Sequence, residues 1–562
     1  MVPATGDHSY HVAPGIFQLA FAGLAAPFAR ISAFLPTWYV EGLNPSITER
    51  DQRLYGEPEA NSFPPQKGAA LGALPAKKFP HVAGAAAFVR QHWRKLLGAS
   101  AVVLVPCFWH RHIVASDLGS HLYNAWLAQL IRHGQAPGLY LSGQLTNVLF
   151  DWLLSAFGAA FGLFAAEKIV VSICVLIFFW GAFALLLSAT GRAPWFLTPL
   201  LALFAYGWTF HIGLYNYYLA IGLSFFALAL FWNGTKWERL ALLPAAALIA
   251  TAHPFGVIWL AGACVYVAAL QWLTLRYQIM LLALAAAAIW LVRVYLMHHS
   301  ITEMEPEKWY LFTGLDQLIL FGNRYRIVKW AVLAFAVVAI LVDLFRSRRQ
   351  RQHWKSYLLP LQLYLVVEFA VFFFPRGVHF PQHVAIALIT ERLTSLAAVA
   401  GCCLLAVMRP SKWHLAATIS IATLFAIFLY QDTAIVNNIE AQAERLVRTL
   451  PPNQRVLASI FQLDDSRIMI QHNIDLACIG YCFDYGNYEP GSGVFRVRAT
   501  EGNPYVISDY ETSTDTEDGT YVVQPEDLPI YQVYQCTEDG LVLCIRPLKA
   551  GEANNRLGAF DN

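Results

Sequence analysis

Between Leu96 and Gln431 the chain presents one apolar segment after another, separated by short polar turns, and this repetition leaves few folds open. A bilayer-crossing helix needs about 20 predominantly apolar residues. Segments near that length are found at 96–115, 145–166, 169–188, 195–212, 214–232, 240–253, 255–273, 277–297, 327–345, 357–374, 385–408 and 413–431. With 57% hydrophobic residues, 14% charged residues and a mean hydropathy of +0.45, the 562-residue chain carries more apolar surface than a water-soluble domain needs to bury. The expected fold class is an all-α polytopic membrane protein of about 11–12 transmembrane helices, one segment being re-entrant, followed by a small β-rich or α+β extramembrane domain. A net charge of +2 gives no basic excess, so nucleic acid is not an expected partner; the lipid bilayer is.

Three parts follow. Residues 1–94 form a cytoplasmic head. Within it Phe17, Phe21, Leu24, Phe28, Ile31 and Leu35 recur at helical spacing, which predicts an interfacial helix over 15–40. The stretch 41–94 is rich in charge and proline (Pro58, Pro64, Pro65, Pro75, Pro80) and reads as a linker. Residues 95–433 form the membrane domain and 434–562 a non-cytoplasmic tail. No Lys or Arg precedes Arg30, so the N-terminus lacks the cationic start of a secretory signal and is expected in the cytoplasm. Arg90, Arg94 and Lys95 flank the first span, which should therefore run from inside to outside.

The most basic loop, with Arg346, Arg348, Arg349, Arg351 and Lys355, should also be cytoplasmic, yet eight segments between Ala115 and Phe345 would leave it outside. One of the eight is therefore expected not to cross. Segment 145–166, which carries Asp151, is the first choice; 240–253, which contains Pro244, is the second. Residues 118–135 alternate apolar and polar positions as an amphipathic helix on the outer bilayer surface would. After the last span, 437–450 reads as a connecting helix. Strand-like runs follow at 456–460, 494–497, 505–507, 521–523, 530–534 and 541–545, separated by turn residues. Cys478, Cys482, Cys536 and Cys544 lie in this tail and are disulfide candidates in an oxidising compartment.

Asp117 is the leading candidate for chemistry, because an ionised carboxylate at a membrane boundary is costly unless it is used. His121 follows four residues later, on the same helix face. The pair reads as a general base with an imidazole partner, as a metal ligand, or as a helix N-cap at Asp117. The outer turn from Phe210 to Tyr218, with His211 and Asn216, is a candidate substrate-lining segment. His253, beside Pro254, breaks its helix at the same level. The outer loops supply Glu303, Glu305, Lys308, Asn323, Arg324 and Arg326, then Arg376, His379 and His383; arginines in such loops suit a phosphate or diphosphate. Glu368, Glu391 and Arg392 lie within spans, where charges face a cavity or one another. No Walker A sequence, dinucleotide glycine pattern, zinc spacing or serine-hydrolase elbow occurs.

An Asp just beyond the first span in an amphipathic outer segment (Val114 to His121), about a dozen spans and an outer C-terminal domain together resemble the GT-C superfamily of polytopic glycosyltransferases. The resemblance covers about residues 95–433 and is one of placement. It implies inverting hexosyl or pentosyl transfer from a polyprenyl (di)phosphate sugar donor, in a bacterial inner membrane, to an acceptor on the outer face. Asp117 would act on the acceptor hydroxyl, while Arg324, Arg376 and His379 would stabilise the departing lipid phosphate; His253, Glu303, His383, Glu391 and Arg392 complete the expected binding set. A lone Asp117 stands where an acidic pair is common in the family. No cofactor is therefore certain, and a divalent cation (Mg or Mn), if used, would draw on Asp117, Glu303 or Glu305. The competing readings are a secondary transporter or lipid flippase that uses Glu368, Glu391 and Arg392, and a non-catalytic envelope assembly protein.

Overall fold

A computed structural model describes residues 82–347, 353–380, 385–460, 463, 465–537 and 539–555. The interfacial helix read at 15–40, most of the linker, the centre of the basic loop and His383 lie outside the described residues.

The helices run in the order α1 (Val82–Leu104), α2 (Leu118–Arg132), α3 (Leu149–Phe161), α4 (Leu163–Thr190), α5 (Thr198–Ala205), α6 (Tyr215–Asn233), α7 (Leu242–Ala252), α8 (Pro254–Trp272), α9 (Leu275–His299), α10 (Tyr325–Ser347), α11 (Leu358–Phe373), α12 (Ile389–Ala406) and α13 (Lys412–Val447). Eight of these (α4, α6 and α8 to α13) are long and apolar enough to cross a membrane. The chain is an integral, multi-pass membrane protein. α9 buries none of its side chains, as suits a helix bathed in lipid.

Segment 96–115 falls partly in α1, which starts at Val82 within the stretch read as linker and ends at Leu104; the other three apolar segments become shorter helices, each for a local reason. Segment 195–212 breaks at Pro194, Pro199 and Gly207 into a 3-10 turn, α5 and a single turn at Trp208–His211. Segment 145–166 is cut at Gly162, whose φ of 83° ends α3 after 13 residues. At 1.5 Å per residue α3 rises about 20 Å, short of a bilayer core of about 30 Å. His253 is extended (φ −163°, ψ 131°) and Pro254 opens a new helix, which limits α7 to 11 residues. Both segments that the charge count singles out are thus short.

The last span does not end where its polar residues begin. α13 is one 36-residue helix, so the expected connecting helix at 437–450 is its continuation and the boundary at 433/434 falls inside it. Gln431 and Asp432 do not break it, because Arg324 bonds both of them and Tyr325 donates to Asp432.

The tail is a small α+β domain. Its four-stranded mixed sheet has the order β6–β5–β8–β9, with β5 (Arg455–Ser459) parallel to β6 (Phe483–Asp484) and β8 (Ile530–Gln535), and β8 antiparallel to β9 (Leu543–Pro547). Leu457, Ile507, Tyr521, Val523, Ile530 and Leu548 form its core. The expected runs at 505–507 and 521–523 thus enter the core without becoming ladder strands. The tail grips the membrane domain in several places, two of them outside α2. β7 (Val497–Ala499) pairs with β1 (Leu139–Leu141), just after α2. The Arg467 guanidinium lies over the rings of Trp208 and Tyr310 and donates to the Asp316 carbonyl.

The four tail cysteines form Cys478–Cys482 and Cys536–Cys544; Cys107, Cys174, Cys264, Cys402 and Cys403 are free. Two disulfides confined to the tail are consistent with its lying on the extracytoplasmic side. They close short loops, so removing either bridge with a Cys→Ala pair should cost about 2 kcal/mol. Thermal unfolding with and without reductant measures this, and equal midpoints would contradict it.

Candidate functional site

Asp117 is placed by backbone contacts. Ser116 N donates to His211 O (2.8 Å) and Asp117 N to Ile212 O (3.3 Å), so the segment entering α2 lies along the turn before α6. Gly213 permits this. Its φ is +87°, and a Cβ there would stand 2.6 Å from Asp117 N. Asp117 occupies the N-cap position of α2, but its side chain accepts no bond from the helix, so the capping reading fails. The carboxylate turns toward the tail instead: Oδ1 lies 3.8 Å from His472 Nε2, and 26% of the side chain stays accessible. Burial raises its pKa; the charges of His472, His121 and Arg392 oppose that rise, and Asp475 adds to it.

The expected Asp117–His121 hydrogen bond does not form. His121 Nδ1 pairs with Asp151 Oδ1 at 2.8 Å, and Asn216 Nδ2 holds the other Asp151 oxygen at 3.0 Å. Asp151, on α3, sits in an apolar segment because His121 and Asn216 satisfy it. Burial disfavours the charged imidazole of His121, but Asp151, Glu489 and Asp117 together outweigh it and lift the pKa to about 9. The outer turn expected to line a substrate is packed inside the protein: His211, Tyr215, Asn216, Tyr217 and Tyr218 are all buried.

The tail reaches this site across α2. Ser120 donates to Glu489 (3.0 Å), Asn124 and Asn487 exchange hydrogen bonds, and Asp484 N donates to the Tyr123 hydroxyl (2.9 Å). A Cβ on Gly119 would lie 2.2 Å from His472 O. α2 therefore does not rest on the bilayer surface as its amphipathic pattern predicts. Its polar stripe is a protein interface, and the tail takes the place of water. His472 Nδ1 pairs with Asp475 Oδ2 at 3.1 Å. Despite burial, Asp475 and the more distant Glu517 and Asp117 raise the His472 pKa to about 10. Burial, the Asp475 charge and an Asp475 hydrogen bond push the Asp484 carboxyl well up.

Arg392 closes the far side. Its Nη1 lies 3.0 Å from His253 Nε2 and its guanidinium is 5.6 Å from the Tyr217 ring centroid. His253 Nδ1 accepts from Phe255 N, so the imidazole is oriented from both sides. Arg392 Nε is buried with no hydrogen-bond partner among the described residues. An orphaned guanidinium donor is costly unless an anion meets it.

The remaining expected binding residues form separate groups. The sheet of β2 (Ile301–Glu303), β3 (Gly377–His379) and β4 (Ala385–Ile386) gathers most of them. Arg376 pairs with Glu391 (2.8 Å) and Glu305 (3.7 Å), and His379 with Glu303 (2.8 Å). Lys308 donates to the carbonyls of Phe372 and Phe374. Arg324 is held by Asp432 and Gln431. Neighbours in sequence, Glu391 and Arg392 serve different partners rather than each other. The sequence did not single out Asp151, His472, Asp475 or Glu489 as site residues: a His and acids in a polar tail carry no periodic signal, and only their burial against α2 distinguishes them.

The donor set around Asp117 does not fit a divalent cation. The charges that act on the carboxylate are those of His472, His121 and Arg392, all of which oppose a cation there, and Glu303 and Glu305 are engaged by His379 and Arg376. Among the described residues no three His, Cys, Asp or Glu side chains converge to hold a metal. Neither the family models nor the curated proteins nor the solved structures compared with this chain match it.

The interface should loosen in alkali. His121 and His472 have folded pKa values of about 9 and about 10, above the ordinary 6.5, so the stability they contribute is full below about 6.5 and is lost as pH rises through those values. Glu489, raised by burial from 4.5 to about 8, adds a penalty that builds between those values and is complete above about 8. Protease protection of the tail should therefore be greater at pH 7 than at pH 10; equal protection would contradict this account.

Proposed function

We propose that the protein is a membrane glycosyltransferase that moves a hexosyl or pentosyl group from a polyprenyl phosphate or diphosphate to an acceptor, on the extracytoplasmic face of a bacterial inner membrane. The observations that carry this reading are a partly accessible carboxylate, Asp117, and a guanidinium, Arg392, whose Nε lacks a partner among the described residues and whose charge acts on the Asp117 carboxyl. A base and an anion site within electrostatic reach of each other at a membrane boundary suit a donor whose lipid stays in the bilayer while its head group reaches the protein.

In this mechanism Asp117 takes the proton of the acceptor hydroxyl. The acceptor oxygen bonds to the anomeric carbon as the bond from that carbon to the phosphate oxygen breaks, and the electron pair leaves on the lipid phosphate. Arg392, oriented by His253, stabilises that growing charge. Attack opposite the leaving group inverts the anomeric centre. Arg392 and His253 take the role that sequence placement gives to Arg324 and Arg376, because those two are held by carboxylates.

The test is transfer itself. Protein reconstituted in vesicles with radiolabelled polyprenyl-phosphate and polyprenyl-diphosphate sugars should yield a glycosylated acceptor and free lipid phosphate. Movement of donor across the vesicle without transfer would replace this reading with a flippase; neither activity would leave the tail as an assembly module.

A further inference from the structure

His472 belongs to the tail, yet it touches the membrane domain at one place that matters. Its Nδ1 is fixed by Asp475, which is itself completely buried, and its Nε2 points at Asp117 Oδ1 from 3.8 Å. The ring lies 5.5 Å from that of Tyr488, and Gly119 lets the His472 backbone close onto α2. Asp475 makes no other ion pair among the described residues, and its charge favours the imidazolium, which turns Nε2–H toward Asp117. His121 faces Asp117 from within α2 but is already turned to Asp151, and Arg392 is turned to His253. On the tail side Asp475 and Glu517 act on His472 with negative charge, while Asp484, its carboxyl pushed well up, stays neutral.

We infer that the extramembrane tail completes the Asp117 site, supplying His472 as a positioning residue: an imidazolium held by Asp475 that orients the Asp117 carboxylate and keeps it ionised. This rests on reading Asp117 as the reacting carboxylate. It gives the tail a part in the chemistry, because an Asp117 without His472 would sit in a buried place with too little opposing charge and would hold a proton when it should accept one. Undocking the tail would then switch the site off without any change in the membrane helices.

The inference can be tested without sugar or acceptor, so its failure is distinguishable from failure of the transferase reading. Dicyclohexylcarbodiimide modifies protonated carboxyls in apolar settings, and peptide mass mapping reads the modification of Asp117 against pH in the purified full chain. His472→Gln should move the labelling midpoint up by about one pH unit, the size expected when an opposite charge near a carboxylate is removed. His472→Lys, which keeps a cation, should bring it back toward wild type. An unchanged midpoint in His472→Gln overturns the inference. A midpoint that falls to that of an ordinary exposed carboxylate also overturns it, since His472 would then act only as a plug that shields Asp117 from water.

Discussion

Asp117→Asn lowers sugar transfer by about 10²–10⁴-fold, the range set by loss of a positioned general base, while donor binding changes little. The substitution is close to isosteric, and the Asp117 carboxylate makes no capping bond to α2, so the helix has nothing local to lose. The hydrogen bonds that hold the segment come from the backbone of Ser116 and Asp117 and survive the change. Asn removes the proton acceptor and the charge that faces His472, and leaves the backbone contacts in place. Donor affinity, carried by Arg392 and His253, should stay within a few-fold, measured as retention of labelled donor on immobilised protein. Transfer that persists undiminished would remove Asp117 from the mechanism. A parallel loss of binding would recast it as a substrate anchor.

Gly119→Ala should have the largest structural effect of any single methyl group in the protein's interface. The new Cβ would lie 2.2 Å from a backbone carbonyl oxygen, so no rotamer change relieves the clash and either α2 or the His472 segment must move. Overpacking of this kind costs about 1–3 kcal/mol or more. Here the cost falls on the contact between tail and membrane domain, so the expected phenotype is specific: the tail becomes susceptible to protease, transfer falls with it, and the eight long helices remain. Gly98→Ala is the control, since a Cβ at that position of α1 meets nothing within 4 Å. If Gly119→Ala digests and transfers like Gly98→Ala, the tail is not held against α2 in the way described.

What could be read from the sequence followed physical rules that act locally. Apolar length made the membrane class plain, and the turn at His253–Pro254 falls where sequence marks a break, while the one at Gly162 went unmarked inside a continuous apolar segment. The tail strands β5, β8 and β9 appeared as β-rich runs between turn residues, and their cysteines as bridge candidates. Partners across the fold were not legible. The stripe of Ser120 and Asn124 has the same period whether it meets water or Asn487 and Glu489. Asp117 and His121 have the spacing of a helical pair, but Asp117 stands at the helix start with its side chain turned outward, and His121 is drawn away by an Asp151 that looked misplaced in an apolar segment. Asp432 looked like the exit from the membrane because nothing in the sequence announced that Arg324 and Tyr325 would neutralise it.

The continuity of α13 couples the two ends of the protein mechanically. At 36 residues it is a rod of about 54 Å, against a bilayer core of about 30 Å, and it enters the tail without a joint. Such a rod works as a lever: a rocking of about 5° at one end sweeps the other through about 5 Å. That stroke is of the same order as the 3.8 Å between His472 Nε2 and Asp117 Oδ1, so a rod of this length would turn a small tilt into a displacement on the scale of the site.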